Sequence, residues 1–136
     1  MLTNDKEINL GYGEPYRNFI YIDDLLDAWE VVINNPDKVA GEIFCLGPDN
    51  AIKIKDYVQL IAYKIGWKGH VNWNTKPKRP GEIYLLNSTN YKITGRLGWT
   101  PKVGLSEGLD RTIAVWKDIV NNNLPHNLDR RFSKGK

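Results

Sequence analysis

The most informative stretch of this chain is Gly11-Tyr-Gly-Glu-Pro-Tyr-Arg17-Asn-Phe19-Ile-Tyr-Ile-Asp23-Asp24-Leu-Leu-Asp-Ala28. Aromatic and β-branched residues alternate from Arg17 to Ile22, which predicts a strand with two apolar faces. Asp23 or Asp24 is predicted to cap the helix that follows, because a carboxylate accepts the free N–H groups of a first helical turn. The stretch therefore predicts a glycine-rich turn, a strand and a helix in succession.

Apolar spacing in the rest of the chain predicts a mixed α/β domain with short strands and about four helices. In the first helix, Leu25, Ala28, Trp29, Val32 and Ile33 recur at helical spacing, which predicts that Trp29 lies in the core. The other predicted strands are 7–13, 41–47 and 69–74, with 41–47 buried, while 83–86 is predicted to be a short strand or a turn. The other predicted helices are about 55–65, 90–97 and 106–121. Trp116, on the last helix, is also predicted to be core. The prediction is one domain over residues 1–128, followed by a basic tail over 129–136.

Composition is that of an ordinary soluble protein, with 41% hydrophobic and 26% charged residues among 136. The polar start of the chain and the lack of a long apolar run lead us to expect a cytoplasmic protein that does not bind membranes. The net charge of +3 comes from the tail, because residues 1–128 hold 15 basic and 15 acidic side chains; nucleic-acid binding is therefore not expected. Cys45 lies in an apolar run and is predicted to be a buried thiol.

The residues offer little sign of a cofactor or metal site. The turn Gly11-Tyr-Gly13 lacks the third glycine of a dinucleotide loop, and it leads into Pro15 and a strand rather than a helix. His70 and His126 are far apart and have no neighbouring ligands at metal spacing, so a zinc site is not expected. No cofactor site is therefore predicted in this chain.

Two later motifs follow the opening stretch in order, Arg79-Pro-Gly-Glu82 and Leu97-Gly-Trp99-Thr-Pro101. Together the three segments resemble the C-terminal, substrate-binding portion of the extended short-chain dehydrogenase/reductase family, the NAD(P)-dependent epimerases and dehydratases of nucleotide sugars. The resemblance implies the small α/β substrate-binding domain of such an enzyme without its Rossmann half, where NAD or NADP would bind. None of the seven tyrosines has a lysine four residues later, so the family's Tyr-x-x-x-Lys pair is absent. We expect a fragment, a truncated product or one chain of a split enzyme, inactive alone.

Arginine is the residue best suited to a diphosphate, because its planar guanidinium can donate two parallel hydrogen bonds. The resemblance implies that Arg17 and Arg79 contact the diphosphate of a nucleotide sugar and that Glu82 reaches a ribose hydroxyl. Asn18 departs from the family, which usually has Asp at this position. Trp99 is expected to be a packing corner, while Trp67 and Trp73 flank a loop and are candidates for lining a pocket.

Two other interpretations remain open. The chain can be a non-catalytic nucleotide-sugar-binding or assembly module, or it can bind polyanions through Lys76, Lys78, Arg79 and the basic tail. In the resembled architecture this region packs against the Rossmann domain, so we expect exposed apolar surface here. Such surface favours association, either with a Rossmann-domain half or with another copy of the chain.

Overall fold

The computed structural model describes residues 1–3 and 6–122. In this part of the chain, five short strands and five helices form a mixed α/β fold, as predicted. The strands are β1 (Glu7–Asn9), β2 (Tyr16–Arg17), β3 (Ile52–Lys53), β4 (His70–Asn72) and β5 (Leu85–Leu86). The helices are α1 (Ile22–Ile33), α2 (Pro36–Val39), α3 (Ile54–Ile65), α4 (Tyr91–Leu97) and α5 (Leu105–Asn121).

The strands form two small sheets. β1 and β4 pair in parallel, and β2 lies between β3, to which it is antiparallel, and β5, to which it is parallel. The predictions at 7–13, 69–74 and 83–86 are thus confirmed in shortened form. The predicted strand from Arg17 to Ile22 is not: pairing ends at Arg17, opposite Ile52 and Leu86, and the chain has already entered α1 at Ile22.

The core joins α1 to α4. Ala28, Ile93 and Trp99 are buried together, and part-buried apolar side chains such as Phe44 and Leu46 pack against them. Gly98 ends α4 with φ of +72°, a left-handed conformation that favours glycine. The predicted helix stop and the packing role of Trp99 are both confirmed.

The other long helices lie close to their predicted positions. α3 begins at Ile54 and α5 at Leu105, each within one residue of its predicted start. Tyr57 of α3 stacks on Phe19, with ring centroids 3.9 Å apart. Burial raises the pKa of the Tyr57 hydroxyl. α2, a single turn that begins at a proline, was not predicted.

The role predicted for Asp23 and Asp24 as helix caps is wrong. The residue preceding α1 is Tyr21, and no side chain caps the helix. Asp24 is instead buried, and its two carboxylate oxygens accept the backbone N–H groups of Lys102 and Val103, each at 2.9 Å. The carboxylate therefore fixes a segment 78 residues away, a non-local contact that local sequence could not reveal.

The predicted buried strand at 41–47 is also wrong. The segment has no strand pairing among the described residues, and both Ile43 and Cys45 are exposed, so Cys45 is not a buried thiol. Trp29, predicted to be core, is 61% exposed. The apolar pattern indicates that these residues favour burial, but the described chain supplies neither a neighbouring strand nor a surface to cover them.

The predicted tail, 129–136, lies outside the described residues, so the domain boundary at 128 stays a prediction. None of the helices within 1–3 and 6–122 is long and apolar enough to cross a lipid bilayer.

Candidate functional site

A cleft of about 430 Å³ lies between the β1–β2 connection and the loop that precedes β5. All three predicted site residues line it, although Arg17 is more than sixty positions from the other two. The described lining residues are Asn9, Leu10, Gly11, Tyr12, Pro15, Arg17, Ile54, Lys76, Pro77, Lys78, Arg79 and Glu82. The fold therefore brings the two predicted motifs to one cavity.

Arg17 is held firmly at one wall of the cleft. Its Nη2 donates to Glu82 Oε1 at 2.9 Å, and its Nη1 donates to the backbone oxygen of Tyr16 at 2.7 Å. The side chain is 23% exposed. A guanidinium has five N–H donors, so three remain without a protein acceptor in the described part of the chain. This is enough for a two-pronged contact with an anion.

Glu82 reaches Arg17 because the chain turns tightly before it. Gly81 has φ of +72°, and the backbone N–H of Glu82 donates to the Arg79 carbonyl at 3.2 Å. Glycine adopts this left-handed conformation without strain. The Arg-Pro-Gly-Glu motif thus forms a turn that places Arg79 and Glu82 on the same cleft.

The charge of the cleft is strongly positive. Its described lining holds four cationic side chains, those of Arg17, Lys76, Lys78 and Arg79, and the single carboxylate of Glu82. Arg79 is exposed, so its side chain remains available to a ligand. A concave surface of one charge sign raises the local concentration of oppositely charged ligands. The cleft therefore suits an anion with more than one negative charge.

Asn18 has a structural role that explains its departure from the family pattern. Its side-chain amide donates to the Pro48 carbonyl and, at 2.8 Å, to Asn87 Oδ1, while its oxygen accepts the Ser88 N–H at 2.9 Å. An ionised aspartate accepts hydrogen bonds but cannot donate them. Asparagine suits this position because it does both, and it fixes the chain immediately after Arg17.

The turn at Gly13 is held from outside the cleft. A Cβ atom on Gly13 would overlap the Trp73 ring and the Lys55 side chain. Glu14 pairs with Lys55 and with Lys53, and hydrogen bonds from these lysines lower the pKa of the Glu14 carboxyl. Trp73 therefore supports the turn and is not among the described lining of the cleft, and neither is Trp67.

The turn at Gly13 does not fit the pyrophosphate of a dinucleotide. The side chains of Trp73 and Lys55 occupy the space next to Gly13. The turn leads into β2, so it does not present a helix N-terminus to a pyrophosphate. Within residues 1–3 and 6–122, no group of three His, Cys, Asp or Glu side chains is placed to hold a metal ion.

Comparison with known proteins identifies the family. Residues 1–112 match the family model for GDP-mannose 4,6 dehydratase. The chain is 34% identical over 114 residues to GDP-L-fucose synthase 1 of Arabidopsis thaliana, covering 82% of this chain and 33% of that protein.

Two solved structures have the same fold. The UDP-glucose 4-epimerase of Thermotoga maritima with UDP-glucose superposes with a TM-score of 0.74 and 26% identity, covering 86% of this chain and 36% of that one. A UDP-glucuronic acid 4-epimerase mutant of Bacillus cereus, in complex with UDP-4-deoxy-4-fluoro-glucuronic acid and NAD, gives 0.70 and 25%, covering 83% and 35%.

The chain is a member of the GDP-mannose 4,6 dehydratase family, within the extended short-chain dehydrogenases/reductases that act on nucleotide sugars. It spans about one third of the length of the relatives it matches.

Of the functional candidates, the sequence pointed to Arg17, Arg79 and Glu82, and the structure places them in one cleft. The sequence assigned no functional role to Tyr12. The one feature that distinguishes this residue in the sequence is its position between the two glycines of the turn.

Proposed function

We propose that this chain is the substrate-binding part of an NAD(P)-dependent nucleotide-sugar epimerase or dehydratase. Arg17 and Arg79 bind the diphosphate of the nucleotide sugar, and Glu82 accepts a hydrogen bond from a ribose hydroxyl. The observation that carries this proposal is the meeting of Arg17, Arg79 and Glu82 in one cationic cleft of about 430 Å³. The solved epimerase from Thermotoga maritima, which has this fold, holds UDP-glucose.

The two arginines have complementary roles. Arg17 is oriented in advance by Glu82 and by the Tyr16 carbonyl, so little side-chain entropy is lost when its remaining donors meet an anion. Arg79 lies on an exposed turn and closes on the diphosphate from the other side. Because Glu82 is bonded to Arg17, a ribose hydroxyl at Glu82 and a phosphate at Arg17 lie within one hydrogen-bonded unit.

Calorimetric titration with UDP, GDP, dTDP and their sugar conjugates tests the proposal. Hydrogen bonds to charged groups contribute about 1.5–3 kcal/mol each, so Arg17→Ala or Arg79→Ala should weaken nucleotide-diphosphate binding about tenfold or more. Arg96→Ala is the matched control, because Arg96 is exposed and pairs with Glu42 away from the cleft. Equal weakening by all three variants, or by none, contradicts the assignment.

The redox step of such an enzyme uses NAD or NADP, and we propose that a Rossmann-domain half supplies the cofactor site. The chain alone is then inactive. One face of α1 is suited to meet such a half: Ile22, Leu26, Trp29 and Ile33 are between 55% and 69% exposed and fall on one side of the helix. Ile43, in the unpaired segment 41–47, is 82% exposed.

The segment 41–47 is the second part of this surface. Exposed Ile43 and Cys45 alternate with part-buried Phe44 and Leu46, as in a strand with one covered face. In the described structure its N–H groups lack strand partners, so it can add to the edge of a sheet in a second polypeptide. An exposed apolar surface of this kind is typical of an interface.

Sedimentation velocity tests the docking. The chain is mixed with the cofactor-binding portion of a family member, and we expect a one-to-one complex that Leu26→Lys abolishes. Tyr63→Lys serves as the control, because Tyr63 is 84% exposed on α3. Self-association that Leu26→Lys abolishes would instead favour a homo-oligomer. A monomer that ignores the cofactor-binding portion would contradict both and favour an independent binding module.

A further inference from the structure

The loop that carries Arg79 is exposed throughout residues 76–81 and is held mainly at its ends. At its start, the backbone N–H and the hydroxyl of Thr75 donate to the Leu10 carbonyl at 3.1 and 2.9 Å. At its end, Glu82 accepts the hydrogen bond from Arg17. Six residues therefore lie between the two anchors.

One further contact reaches the middle of this loop. Lys78 Nζ lies over the Tyr12 ring, 4.9 Å from its centroid. This is within the distance at which an ammonium is attracted to the face of an aromatic ring. Lys78 immediately precedes Arg79, so the contact acts on the backbone that carries the arginine.

We propose that Tyr12 is a positioning residue: its ring holds Lys78 and thereby keeps Arg79 directed into the cleft. The inference rests on the proposed function, since it assigns Tyr12 to the same diphosphate site. Tyr12 does not touch the diphosphate in this proposal. It acts through Lys78 on the placement of Arg79.

The chemistry of the ring explains why an aromatic residue suits this position. Lys76, Lys78 and Arg79 lie within four positions and repel one another, so the loop needs a neighbour that attracts a cation. A carboxylate at position 12 would do so, but it would add a second negative charge to a cleft that already contains Glu82. An aromatic face attracts the ammonium without a formal charge, and the cleft keeps its attraction for phosphate.

The test compares Tyr12→Leu with Tyr12→Phe by calorimetry, using UDP and inorganic pyrophosphate as separate probes. An exposed cation–π contact corresponds to a factor of about 2–5 in an equilibrium constant. We expect Tyr12→Leu to weaken both probes by that same factor, and Tyr12→Phe, which keeps the ring, to bind as the wild type does. Tyr12→Leu should have no further effect in a Lys78→Met background.

The outcomes separate this inference from the proposed function. If Arg79→Ala leaves UDP binding unchanged, the proposed function fails, and the Tyr12 inference fails with it. If Arg79→Ala weakens binding but Tyr12→Leu does not, only the Tyr12 inference fails. Loss of UDP binding with pyrophosphate unaffected would mean that Tyr12 stacks on the nucleobase, which overturns the positioning role. Equal losses in the Leu and Phe variants would assign the effect to the hydroxyl and would also overturn the positioning role.

If Tyr12→Leu does not fold, the positioning role is tested by comparing Lys78→Arg, which keeps the cation, with Lys78→Met. Equal binding by these two variants overturns the positioning role.

Discussion

Replacing Asp24 by alanine should lower the free energy of unfolding more than replacing any other carboxylate residue discussed above. Asp24 is 2% exposed and accepts two backbone N–H groups, those of Lys102 and Val103, at 2.9 Å each. Hydrogen bonds to a charged group contribute about 1.5–3 kcal/mol each, and donors left buried without an acceptor add to the loss. Two such bonds give a lower value of about 3 kcal/mol for the decrease in unfolding free energy.

The structure also predicts how the conservative variant behaves. Asp24→Asn keeps one acceptor oxygen, but its NH₂ group would face a backbone N–H, so about half of the stabilisation should be lost. Asp23→Asn is the matched control. The Asp23 side chain is 60% exposed and lies 3.7 Å from Arg111, so this change should alter the unfolding free energy by about 0.5 kcal/mol or less.

Urea denaturation followed by tryptophan fluorescence measures the three variants. A loss of about 3 kcal/mol corresponds to roughly 10 °C in melting temperature for a domain of this size, so thermal melting provides a second measure. The reasoning is refuted if Asp24→Ala unfolds within about 0.5 kcal/mol of the wild type, or if the Asp23 and Asp24 variants lose equal stability.

Two further predictions follow from the turn and from the ion pairs. Gly13→Ala should cost about 1–3 kcal/mol of unfolding free energy because its Cβ overlaps Trp73, whereas Gly11→Ala, with open space at its Cβ, should cost much less; urea denaturation compares them. The carboxyl pKa values of Glu14 and Glu42 are lowered from 4.5, in each case first by a hydrogen bond from a lysine. Their contribution to stability is therefore present above the unfolded pKa and is lost as the pH falls through the lower folded pKa. Denaturation between about pH 6 and pH 3 should show this loss, and a Gln variant at both positions should flatten it; an unchanged pH profile would rule these pairs out as its cause.

Local pattern was sufficient for most of the fold. The spacing of apolar residues located α3 and α5 to within one residue at their starts, and Gly98 correctly marked the end of α4. Prediction from the local pattern failed where the structure of a segment depends on a partner that is distant in the sequence. The segment 41–47 has the composition of a strand, but a strand requires a neighbour for its backbone, and the described chain provides none.

In the site, too, features set by local sequence were predictable, and contacts between distant residues were not. The family resemblance of the two motifs, together with the suitability of arginine for phosphate, led to the prediction that Arg17 and Arg79 contact a diphosphate and that Glu82 reaches a ribose hydroxyl. The ion pair between Arg17 and Glu82 joins positions 65 residues apart, and nothing in the local sequence of either residue indicates it. The contact between Lys78 and Tyr12 is equally non-local. The sequence had suggested only that Tyr12 ends a short strand and lies in a turn that does not fit a cofactor loop.

The most direct test of the central claim is an arginine side-chain NMR titration. The ¹⁵N-labelled chain is titrated with UDP-glucose, and the Nε resonances of Arg17 and Arg79 are compared with those of Arg96 and Arg111, which lie in ion pairs away from the cleft. The account predicts saturable shifts for Arg17 and Arg79, with Arg96 and Arg111 unmoved. Saturable binding that moves Arg96 or Arg111 and leaves Arg17 and Arg79 unchanged would contradict it.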